Sequence, residues 1–143
     1  MSTNDPGNAG HLAKPLPTPT PTTRPFWDGL NDGKVCMQQC GECAGWVFYP
    51  RTRCSHCLSD QLAWHEVSGR GTLYTFTIAR QATAPQFADE TPQLLAVVET
   101  DEGVRLTTTL VNVDPAEIKI GMKLRPYFNR VAPATTLLRY QPA

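Results

Sequence analysis

The residues of this chain most able to do chemistry are cysteines set at short intervals. Cys40 and Cys43 form one C-x2-C pair and Cys54 and Cys57 a second, in the stretch CGECAGWVFYPRTRCSHC. The short spacing lets two thiolates converge on one ion while nearby backbone amides donate to the sulfurs, and two such knuckles complete a tetrahedron. A closed four-thiolate shell leaves no position for water or substrate, so the expected ion is structural. Zinc is the expected metal, with iron in a rubredoxin-like arrangement of the same four thiolates as the alternative. Neither pair opens a helix after a core strand, so a thioredoxin-like redox role is disfavoured. Cys36 is left over as a fifth sulfur and reads as a free thiol. His56, inside the second knuckle, is placed to donate a hydrogen bond but not to replace a cysteine; His11 and His65 are solitary and read as solvated or structural.

These sulfurs need elements to hold them. Residues 1–21 are rich in Pro, Thr, Gly and Asn with little to bury, and read as a tail that is disordered or ordered by a partner. Residues 22–34 suit a short helix, with Thr23 as its cap, Pro25 just inside, Phe26, Trp27 and Leu30 as an apolar stripe, and Gly33 as its stop. Such a helix cannot stand alone and must dock, on this chain's own barrel or on a neighbouring subunit. Residues 35–66 read as a ribbon, with WVFYPR giving a strand and a turn at Tyr49 and Pro50 between the knuckles.

From residue 67 to 143 the pattern becomes that of strands. In GTLYTFTIA, period-two alternation sets Tyr74, Phe76 and Ile78 against Leu73, Thr75 and Thr77. QLLAVVET and VRLTTTLVNV form a hairpin through Asp101, Glu102 and Gly103, and KLRPYFNRV and TTLLRYQP supply two more strands. Pro126 confines its strand to an edge or a bulge. The expected fold is mainly β: a short N-terminal helix, a rubredoxin-like zinc ribbon, then a five-stranded OB-fold barrel. The connection 81–92 is long for neighbouring strands, and Phe87 within it is a candidate contact residue.

Composition narrows the function. Thirteen basic and thirteen acidic side chains cancel, so no field draws the chain to polyanions, although OB barrels and zinc ribbons both bind nucleic acid elsewhere. No apolar run is long enough to span a bilayer and the start lacks a secretory pattern, so the expectation is a soluble cytoplasmic protein with no membrane partner. Reduced thiols in that compartment again favour a metal over a disulfide framework. There is no Gly-rich phosphate loop and no nucleophile elbow. Arg51, Arg53 and Arg70 could gather at the ribbon–barrel junction and meet phosphates, or pair instead with Glu66, Asp60 or a partner's carboxylates.

The order of parts is specific: an aromatic helix, paired knuckles with Pro50 and Arg51 before the second, Trp64, the Ser68–Thr72 stretch, Glu99 with Gly103, and Gly121 with Met122. Over roughly residues 24–141 the chain resembles a bacterial and archaeal family of OB-fold proteins with a rubredoxin-like zinc ribbon. That family is long catalogued as a domain of unknown function and is associated with acyl-CoA metabolism. The resemblance implies a zinc-binding accessory subunit that docks on a thiolase-like or hydratase-like enzyme in a hetero-oligomer. The implied partners carry out acyl transfer or the retro-aldol cleavage of steroid side-chain thioesters, and they own the catalytic groups. It further implies acyl-CoA as a ligand, with Arg51, Arg53 and Arg70 facing its phosphates. Phe26, Trp27 and Phe87 are expected at the partner contact, and no residue of this chain is assigned a catalytic role.

Overall fold

The computed structural model describes residues 13–143. The expectations for His11 and for the first part of the tail lie outside the described residues. The helix α1 spans Arg24–Asn31 and begins with Pro25 in its first turn. Thr23 occupies the cap position but makes no side-chain bond to the helix, contrary to expectation. Its hydroxyl oxygen instead accepts from the Thr20 backbone N–H at 2.9 Å, closing the turn that leads into the helix. The other end is as the glycine suggests. Gly33 adopts a φ of +73°, its N–H bonds to the Leu30 carbonyl and that of Lys34 to the Gly29 carbonyl, a Schellman closure.

Eight residues are too few for a stable isolated helix, and α1 lies on this chain's own strands. Phe26, Gly29 and Leu30 form its buried face. Gly29 lets the helix approach closely there, because a Cβ at that position would stand 2.9 Å from Cys36 Sγ.

The ribbon is a three-stranded antiparallel sheet of β1 (Val35–Cys40), β2 (Trp46–Val47) and β3 (Leu62–Val67), in the order β2-β1-β3. The barrel contains β4 (Gly71–Ala79), β5 (Gln93–Thr100), β6 (Arg105–Thr109), β7 (Lys123–Ala132) and β8 (Thr135–Pro142), in the order β6-β5-β4-β7-β8. Its ends approach each other through a bridge between Leu110 and Tyr140, and Thr108 Oγ1 donates to the Leu138 carbonyl at 2.9 Å. Pro126 is tolerated in β7 because pairing with β4 involves only Lys123 and Leu124. The missing N–H falls beyond that ladder.

One strand departs from simple alternation. A bulge between Leu73 and Thr75 sends Leu73 into the core and leaves Tyr74 47% exposed, so Tyr74 does not share a face with Phe76 and Ile78 as its spacing suggests. An extra residue on one strand reverses the side-chain parity from that point. At the start of β4, a Cβ on Gly71 would collide with the Glu99 carbonyl, so only glycine permits this close strand approach. Between β4 and β5, residues Pro85–Glu90 wind into a 3-10 turn.

A single apolar cluster joins the two parts. Val35 and Met37 of the ribbon pack with Leu73, Val98, Leu124 and Tyr140 of the barrel. Tyr140 is wholly buried, and its hydroxyl donates to the Gly69 carbonyl at 2.6 Å, fastening β8 to the link between ribbon and barrel.

Candidate metal centre and the adjoining groove

Each cysteine pair is held by the same local construction. The N–H of Cys40 bonds to the Gly45 carbonyl and its carbonyl accepts from Ala44, while Cys54 does the same with Ser59 and Leu58. Ala44 and Leu58, each four residues after the leading cysteine, both adopt positive φ, at 61° and 66°. Cys40 Sγ accepts from the Glu42 N–H at 3.4 Å and Cys54 Sγ from the His56 N–H at 3.3 Å. The two knuckles are therefore pseudo-symmetric turns that aim their sulfurs at one point.

The four Sγ atoms all lie within 4.8 Å of one another, with Cys40–Cys57 and Cys43–Cys54 both at 3.6 Å. A zinc–sulfur bond of about 2.3 Å implies a tetrahedral edge of about 3.8 Å, so the cage matches the ion in donor type, number and size. Cys40 and Cys54 are buried, whereas Cys43 and Cys57 face outward. Donation by the Cys43 and Glu42 N–H groups holds the Cys40 thiol down at about 6. The Ser59 N–H favours the Cys57 thiolate, yet desolvation and the three neighbouring sulfurs push that thiol up to about 12. Four thiolates crowded together need a cation to coexist, and zinc supplies that charge together with a structural clamp.

Two further side chains brace the site: Gln38, which the sequence does not single out, and His56, which it marks as a hydrogen-bond donor. Gln38, buried on β1, donates from Nε2 to the Arg51 carbonyl and accepts the Arg51 N–H at Oε1, both at 2.8 Å. This amide clamp holds the Tyr49–Arg51 turn against the sheet. His56 Nε2 lies 3.0 Å from the Trp46 carbonyl, which can only accept, so that nitrogen carries the proton. Cys36 stands apart from the four sulfurs, under α1, and desolvation, with Glu66 adding, raises its thiol.

The three arginines occupy different places. Arg53 donates to the Leu58 carbonyl at 3.2 Å and so braces the second knuckle, and Arg51 is held through its backbone. Arg70 lines a concavity of about 290 Å³ shared with Lys34, Glu66 and Arg125, and neither Arg51 nor Arg53 lines it.

A larger groove of about 570 Å³ opens where the helix, the ribbon turn and the β6–β8 seam meet. Phe26, Trp27, Phe48 and Tyr49 form one wall, and Leu106–Thr109 with Leu137 and Leu138 the other. Phe26 is only 4% exposed and packs edge-on against Trp27, Phe48 and Tyr49, so it presents its ring to this groove more than to the outer surface. Trp27 Nε1 donates to the Tyr49 hydroxyl at 3.0 Å across the rim. Arg105 and Arg139 are the charged residues of the lining, and Arg105 is already paired, its Nε donating to Glu99 Oε2 at 2.9 Å. Phe87, half-buried on the 3-10 turn, lines a neighbouring cavity. Among the described residues, no helix is long and apolar enough to cross a membrane.

Comparison with known proteins agrees with this architecture. Residues 27–63 match the family model "ChsH2, rubredoxin-like zinc ribbon domain", and residues 64–129 match "ChsH2, C-terminal OB-fold domain". A "DUF35 domain-containing scaffold protein" of Methanothermobacter thermautotrophicus is 34% identical over 101 residues, covering 69% of this chain and 71% of that protein. A "Probable enoyl-CoA hydratase alpha subunit" of Thermomonospora curvata is 33% identical over 119 residues, 82% of this chain. The match spans only 37% of that longer relative. A solved structure described as "Ltp2-ChsH2(DUF35) aldolase" contains a chain that superposes with a TM-score of 0.78 at 29% identity, covering 88% of this chain and 98% of that one.

Proposed function

Because this chain belongs to the DUF35 family of ChsH2-type zinc-ribbon and OB-fold proteins, we propose that it is an accessory subunit of an acyl-CoA-processing assembly. In this reading it docks on a thiolase-like or hydratase-like catalytic subunit and helps to form that subunit's acyl-CoA site. One observation carries the reading. The superposition on a chain of a structure described as an Ltp2-ChsH2(DUF35) aldolase spans nearly the whole of that chain. The groove supports the ligand class, since its aromatic and leucine walls suit an acyl chain. Phosphate contacts, expected for Arg51, Arg53 and Arg70, are proposed for Arg70 with Lys34 and Arg125, which share one concavity. Trp27 at the groove rim and Phe87 on its turn are the proposed partner contacts, with Phe26 supporting Trp27 from beneath.

The test is co-expression with candidate thiolase-like and hydratase-like proteins, followed by assay of the purified assembly against a panel of CoA thioesters. The expected result is a stable heteromer in which the large subunit turns over only when this chain is present. Full-rate turnover by this chain alone would overturn the proposal, as would failure to associate with any such protein.

A further inference from the structure

Beside the groove lies a second cavity of about 540 Å³, and Leu137 and Arg139 line both. Its outer wall is the segment Ala13–Leu16, which crosses toward the 3-10 turn. Lys14 Nζ stands 3.4 Å from Glu90 Oε2 and 3.8 Å from Asp89 Oδ1, with the Phe87 ring centroid 6.0 Å away. The family models match residues 27–129, so this wall and the shared residues of β8 lie outside them. The opposite wall, Gln86, Phe87, Asp89 and Glu90, lies within the matched OB-fold domain, so segments outside the matched residues complete the cavity.

Its polar groups are unusual. Among the described residues, four buried side-chain polar atoms make no hydrogen bond in the protein, and three of them belong to residues lining this cavity: Gln86 Oε1, Arg139 Nε and Glu90 Oε2, the last already ion-paired with Lys14. Arg139 Nε is a donor and the other two are acceptors. Buried donors and acceptors are ordinarily paired, so the unpaired acceptor Gln86 Oε1 and the unpaired donor Arg139 Nε at one cavity mark a place built for a polar group. The charged side chains of the lining, Lys14 and Arg139 against Asp89 and Glu90, balance. A neutral group therefore fits, whereas a carboxylate would face two others.

We propose that this cavity is the distal compartment of the groove and receives the uncharged, hydroxyl-bearing end of an elongated, otherwise apolar acyl group. Arg139 Nε–H donates to the hydroxyl oxygen, and the hydroxyl proton is accepted by Gln86 Oε1. A hydrocarbon end satisfies neither atom. The inference rests on the reading that the adjoining groove takes the acyl chain.

The test is calorimetric titration of the zinc-loaded full chain with saturated fatty acids of about twelve to sixteen carbons, their ω-hydroxy counterparts and their dicarboxylates, long enough to reach from one cavity into the other. The ω-hydroxy member is expected to bind about tenfold tighter than its parent, with the dicarboxylate no tighter than the parent. Arg139→Met and Gln86→Leu should each erase the hydroxyl preference; Gln86 lies on the 3-10 turn outside the strand ladders, so its replacement leaves the barrel folded. Equal binding of parent and hydroxylated acids would overturn this inference alone. If no member of any series binds, the acyl reading of the groove fails and this one falls with it.

Discussion

Tyr140 Oη and Cys54 Sγ both belong to wholly buried residues, and each holds distant parts of the chain together. Replacing Tyr140 by Phe keeps the ring but leaves the Gly69 carbonyl without its partner, a loss of about 1–3 kcal/mol in a chemical denaturation series. Burial, with Glu102 and Asp101 adding, holds this phenol well above its ordinary range. A folded-state pKa raised in this way gives stability that is fully present below the unfolded phenol's value of about 10 and is lost as pH rises above it. Stability of the native protein should therefore fall progressively as pH rises above about 10, and the Tyr140→Phe variant should show a shallower decline. At Cys54, substitution by Ser removes one of four thiolates from a cage already matched to zinc. Elemental analysis should then read a metal content well below the one ion per chain expected of the parent. Of these two residues only the cysteine was legible in the sequence, because its spacing repeats. A buried tyrosine hydroxyl aimed at a carbonyl 71 residues away leaves no local trace.

At the scale of elements, α1 offers a sharper test than the strands. An alanine in a helix interior is ordinarily favoured over glycine by about 1 kcal/mol. At position 29 the added methyl would press on Cys36 Sγ at 2.9 Å, tight enough to offset that gain. Gly29→Ala should thus be neutral or destabilising in the parent and stabilising in a Cys36→Ala background, with a coupling of about 1 kcal/mol from a double-mutant cycle. Additive effects would mean that α1 does not rest on β1 as described. The helix itself was readable from its proline, its apolar stripe and its terminal glycine. The barrel strands were readable from alternation, up to the bulge at Tyr74 that alternation cannot anticipate. The ribbon strands β1 and β3 were not read as strands. Buried Gln38 interrupts the apolar pattern of the first, and the second is nowhere fully buried. The groove was the least legible feature. Its walls come from the helix, the ribbon turn, β6 and β8, and each apolar residue taken singly looks like ordinary core.

Across the whole molecule, the zinc clamp and the barrel are coupled through one cluster. Val35 and Met37 reach the barrel core from a strand whose last residue, Cys40, is one of the four cysteines placed to hold a metal. Fully burying two such side chains contributes about 3–6 kcal/mol, a large share of the roughly 5–15 kcal/mol that holds a domain folded. Zinc ligation in small modules is worth on the order of 10 kcal/mol near neutral pH, so the ion can fix β1 and, through it, the cover of the barrel. Stripping the metal with a strong chelator should therefore loosen more than the ribbon. Hydrogen exchange is expected to accelerate together in β1, β3, α1 and β8, because α1 packs on both β1 and β8 and Tyr140 is tied to Gly69. Acidification should act in the same direction, since protons compete with zinc for the thiolates. Restoring zinc should return protection to all four elements at once. A barrel that keeps its full protection while the ribbon melts would show that the shared cluster does not transmit the loss, and that the two parts are stable independently.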